Sequence, residues 1–104
     1  MWIFLPDSFL SVVENFNDSS KLLVRGRRKG DIEKIFPSAE IKHTPEGDYA
    51  FRASIDRALV ANTIAKQIMD INYPNFKNEV TDHVRHAAYL DIWQTMWNYQ
   101  HTRP

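Results

Sequence analysis

The sequence contains no cysteine. Disulfides, zinc–thiolate sites, iron–sulfur clusters and thiol catalysis are excluded together, and a reducing cytoplasm is the expected setting. Glycine is scarce, at three in 104 residues, and neither a GxGxxG nor a GxxxxGK[ST] phosphate loop can be drawn through them. No serine sits in a GxSxG elbow. Neither charge sign is in excess: Lys plus Arg is 13, Asp plus Glu is 13, and the formal net charge is zero. Strongly basic nucleic-acid proteins and polybasic membrane binders are not built this way. Long hydrophobic runs are also missing. The apolar opening Trp2-Ile3-Phe4-Leu5 is stopped by Pro6-Asp7 and has no basic flank, so it reads as a strand rather than a signal or a membrane span.

What is present is a globular composition, 43% apolar and 25% charged. A chain of 104 residues makes one domain with one core. Alternation marks strands at Phe9–Asn15 and Leu22–Arg27 around the turn cluster Asn17-Asp18-Ser19-Ser20. Asp31 is the expected N-cap of a short helix carrying Ile32, Ile35 and Phe36, which Pro37 ends. Ala39–Thr44 and Tyr49–Ile55 form a second hairpin, with Tyr49, Phe51, Ala53 and Ile55 on its buried side. Asp56 caps a helix whose apolar stripe is Val60, Ile64, Ile68 and Ile71. Pro74 breaks the pattern, and a last helix runs from Asp82 or His83 to Tyr99.

The expected fold class is therefore α+β. A ββαββα core over residues 1–71 would form a four-stranded antiparallel sheet with both helices on one face. This is a ferredoxin-like plait with its end strand moved to the front. Residues 72–104 add a helical extension.

Three groups of residues offer chemistry. Arg25, Arg27, Arg28 and Lys29 are the densest charge run, and guanidinium groups beside glycines suit anions or phosphates. Arg25 and Arg27 share a strand face that Lys42 and Arg52 can join, with Glu14 and Glu40 as possible ion-pair partners. The stacking aromatics of an RNA-reading sheet are missing. Glu79, His83 and His86 fall at i, i+4 and i+7, a weak metal-ligand pattern if one helix spans all three. Tyr89, Trp93, Met96 and Trp97 follow helical spacing, with Tyr99 beyond. They either lid the sheet or present Trp93, Trp97 and Tyr99 to a partner.

Several segments together resemble a family of bacterial and phage-associated proteins of about this length. They are the opening Trp2-Ile3-Phe4 with Ser11-Val12-Val13-Glu14, Arg25-Gly26-Arg27, Asp31-Ile32-Glu33, Asp48-Tyr49-Ala50-Phe51-Arg52, Tyr73-Pro74-Asn75-Phe76-Lys77 and Tyr89 to Trp93. Pro74 departs from a small polar residue in that pattern. The resemblance implies no substrate and no catalytic residues. It does imply a recurrent polar set of Arg25, Arg27, Asp48, Arg52, Lys77 and His86, either an anion site or an ion-pair network that includes Asp31.

The sequence thus points to a small cytoplasmic protein-binding adaptor or regulatory module, with a homodimer as one form of it. No cofactor and no membrane are implied, and nothing argues for an enzyme. A nucleic-acid binder or small nuclease using the basic face is the alternative, and a metal-dependent hydrolase the second.

Overall fold

The computed structural model describes residues 1–103. The fold is α+β, a five-stranded antiparallel sheet with three helices. The chain divides into two units, Met1–Asn72 and the residues from Tyr73 onward.

In the first unit the strands are β1 (Trp2–Leu5), β2 (Ser8–Glu14), β3 (Lys21–Gly26), β4 (Lys42–His43) and β5 (Phe51–Asp56). Their order across the sheet is β1-β2-β3-β5-β4. The expected four strands are five, because the opening run Trp2–Leu5 turns at Pro6-Asp7 and pairs with β2, from Leu5 opposite Ser8 to Trp2 opposite Ser11. The pairing extends past the strand: the Val12 N–H donates to the Met1 carbonyl, and the Met1 ammonium to the Val12 carbonyl, both at 2.8 Å.

Between β2 and β3 the Asp18 carboxylate accepts from the Ser20 hydroxyl at 2.6 Å and the Ser20 N–H at 2.9 Å. These two bonds, the hydroxyl one first, hold its carboxyl below the usual carboxylate range.

Helices α1 (Asp31–Ile35) and α2 (Arg57–Met69) lie on one face. Ile32, Ile35, Phe36 and Val60 share a single cluster with Leu10, Val12, Val24, Ala53 and Ile55. Period-two alternation delivers those strand residues to one side, and the i, i+3, i+4 stripe of α1 meets them. The approach is close: a Cβ on Gly26 would stand 3.3 Å from Ile32 Cγ1.

Two caps differ from expectation. Gly30, at φ 96°, is the N-cap of α1, a left-handed conformation that glycine adopts without Cβ strain. Asp31 is instead buried in the first turn, where its Oδ2 accepts the Phe9 N–H at 3.0 Å and ties helix to sheet. Asp56 stands at the N-cap of α2, but its side chain makes no cap bond and pairs with Lys21 at 3.3 Å.

Helix α2 keeps its stripe in contact for only part of its length. Val60 is buried and Ile64 half-buried, whereas Ile68 is 61% and Ile71 50% exposed. Between α2 and strands β1 to β3 runs an open groove of about 630 Å³, lined by Ile3, Val12, Leu22, Val60, Ile64 and Ile68 among others.

The second unit has a single 3-10 turn at Lys77–Glu79, then α3 (His83–Gln100). The Asp82 side chain caps α3 by accepting the Val84 N–H at 3.3 Å. Phe76 stacks on Tyr89 at 5.8 Å between ring centroids. No helix among the described residues is long and apolar enough to cross a membrane.

Candidate functional site

The register across the sheet builds the basic face. Trp2, Ser11, Arg25, Arg52 and Lys42 are consecutive partners on five strands, so their side chains share the face opposite the helices. Arg25, Arg52 and Lys42 therefore converge as their spacing suggested.

Arg25 and its neighbour Arg27 are held by the ring of Tyr49. Tyr49 is in phase with Phe51, Ala53 and Ile55, yet it is absent from their cluster. The Arg25 guanidinium lies 4.4 Å and the Arg27 guanidinium 4.1 Å from its ring centroid. Asp48 Oδ1 accepts the N–H of the next residue, Tyr49, at 2.9 Å, and the ladder begins only at Phe51. Tyr49 is buried as alternation expects, at 4% exposure, but against Arg25 and Arg27 rather than in the cluster of Ala53 and Ile55.

Each of the three arginines also donates one hydrogen bond, while the buried Arg25 Nε has no partner. Arg25 Nη2 donates to Ser11 Oγ at 2.9 Å, Arg27 Nη1 to the Asp48 carbonyl at 2.6 Å, and Arg52 Nη2 to Asp48 Oδ1 at 3.0 Å. Asp48 is the carboxylate of this network. Glu14, expected on the same face, has the parity of Leu10 and Val12 and lies on the other one. Glu40 does lie beside Lys42 and Arg52, along an open cleft of about 550 Å³. Arg28 and Lys29 follow the end of β3 and are exposed. The arrangement is a clamp of two arginines on a tyrosine, each contact contributing about 0.5–2 kcal/mol. It orders the turn before β5 more directly than it displays cations.

The proposed metal stripe is broken. Glu79 ends the 3-10 turn, Val80 is extended, and α3 starts at His83, so Glu79 is not one helical turn before His83. Among the described residues no group of three His, Asp or Glu side chains is placed to hold a metal ion.

The aromatic residues of α3 are brought together. Trp93 and Trp97 stack at 5.6 Å with an interplanar angle of 18°, His101 follows at 4.4 Å, and the Lys77 ammonium lies 4.4 Å from the Trp93 centroid. Lys77, expected among anion-binding residues, thus caps this ladder. The helix is buried at Arg85 and Tyr89 in its first half. Beyond them Trp93 is 46%, Trp97 47% and Tyr99 71% exposed. The two tryptophans are open to the same extent, with Leu90, Ile92 and Met96 exposed beside them. The chain matches no family model, and neither a curated protein nor a solved structure shows significant similarity to it.

Proposed function

We propose that the protein is a small adaptor or regulatory module that works in the cytoplasm by binding another polypeptide through the second half of α3. The observation that carries this reading is the exposure of Trp93, Met96 and Trp97 on consecutive turns of a regular helix. Exposed tryptophans side by side are costly to leave in water and are typical anchors of interfaces.

The ring geometry favours a protein over a base-stacking or sugar-stacking ligand. Trp93 has Lys77 and Trp97 as stacking neighbours, and Trp97 has Trp93 and His101, so the ladder offers ring edges rather than free faces. Edges and methyl groups pack into the ridges and grooves of a partner's apolar surface.

The first unit then serves as scaffold. Its strand order β2-β3-β5-β4 and its two helices in one core support reading it as a permuted ferredoxin-like plait extended by β1.

A photo-cross-linking side chain at Met96, compared with one at Thr95 on the polar side, tests the reading in source cells. Protein adducts from position 96 and not from position 95 are expected. Equal labelling, or none at 96, overturns it.

A further inference from the structure

We infer that the partner of this face is a second copy of the chain, with the two α3 helices packed antiparallel across a two-fold axis near Met96. The inference rests on the protein-binding reading above and names the occupant.

The area is sufficient. At roughly 150–250 Å² per aromatic side chain, Trp93, Trp97 and Tyr99 leave roughly 350 Å² open, and Leu90, Ile92 and Met96 bring the surface to about 600 Å². That is the top of the range for the largest patch on an ordinary monomer, about 300–600 Å². Doubled across a two-fold axis it gives about 1,200 Å², where stable interfaces begin.

The face is also self-compatible. By 3.6 residues per turn these six side chains occupy about half the circumference of the helix. The other half carries Asp91, Gln94, Thr95 and Asn98. From Leu90 to Gln100 the one formal charge is Asp91, on the polar half, and the Lys77 ammonium lies over Trp93 rather than at Met96, so no like charges meet at an axis near Met96. A two-fold axis crossing the helix sets the two macrodipoles antiparallel, the favourable sense, and makes the contact isologous and closed. The chain as a whole is neutral, so long-range repulsion does not oppose the encounter.

Sedimentation velocity over a concentration series of the intact protein tests the inference. A dimer at about 100 µM is expected, with a dissociation constant at least tenfold higher for the Trp93→Ala, Trp97→Ala double variant. Those rings are half exposed, and an unchanged far-UV circular dichroism spectrum will show that the fold is intact. The cysteine-free chain permits a second measurement: under mild oxidant Met96→Cys forms a disulfide-linked dimer and Asp91→Cys does not.

A strict monomer at about 100 µM overturns the inference, as does a dimer that survives the double substitution. If photo-adducts at position 96 then join a different protein, the protein-binding reading stands without self-association. If no adduct forms, both fall.

Discussion

Asp31 ties helix α1 to the sheet from inside the helix's first turn. An aspartate before an apolar stripe reads as an N-cap, but Gly30 takes that position and Asp31 sits inside the first turn, 2% exposed. Its Oδ2 accepts the Phe9 N–H across 22 positions of sequence. Removing the carboxylate leaves that donor without this acceptor beneath the helix. A hydrogen bond to a charged group contributes about 1.5–3 kcal/mol, and Asp31→Ala is expected to cost at least that much. Asp31→Asn, which keeps an oxygen at the same reach, should cost less. Urea unfolding midpoints at constant slope measure both. Equal stability of wild type and Asp31→Ala would show that the contact contributes nothing. The Asp18 carboxylate works locally. Its two bonds from Ser20 favour the ionised form, so what it adds to the turn is present above the ordinary carboxylate value of 3.8 and fades as pH falls through its lower folded value. In Ser20→Ala the Asp18 carboxyl should titrate closer to 3.8 by NMR, because the hydroxyl bond is the larger cause.

At the scale of elements, the periods of two and 3.6 mark out β2, β3, α2 and α3 within one or two residues. They say which side chains share a face but not what lies opposite that face, and that is where the reading runs out. The α2 stripe Val60, Ile64, Ile68, Ile71 is uninterrupted in sequence, yet burial fades along it, and Ile68 lines an open groove between helix and strands instead of closing it. Likewise α3 shows its apolar arc by spacing, but spacing does not say that Trp93 and Trp97 are exposed to the same extent. Tyr49 is legible as buried but not in its surroundings: it precedes β5, and its ring meets Arg25 and Arg27 instead of the helices. The two ends of α2 give a direct check. Val60→Ala, at 4% exposure, should cost about 2 kcal/mol, while Ile68→Ala, at 61% exposure, should change stability by less than about 0.5 kcal/mol. Similar losses at both positions would mean that the second half of α2 is covered in solution, with the neighbouring groove as the place to look for what covers it.

On the scale of the whole molecule, charge separates the remaining readings. A neutral chain has no general attraction to nucleic acid, so any such function must come from a local concentration of free cations. The helix-free face has the cations, but Arg25 and Arg27 lie on Tyr49 and Arg52 is held by Asp48. The exposed lysines Lys29 and Lys42 remain. Two phosphate contacts give a salt slope of about −1.4 on a single strand, and binding that weak should be gone by about 0.2 M salt. The prediction is that single-stranded DNA or RNA columns retain the protein weakly at low salt, and that Arg25→Ala with Arg27→Ala leaves the slope unchanged. The same double variant should lower stability by about 1–2 kcal/mol, because the clamp on Tyr49 is lost. The opposite pattern, strong retention abolished by the substitutions while the unfolding midpoint stays in place, would mean that the arginines leave the ring to meet phosphate. The basic face, rather than α3, would then be the working surface of the molecule.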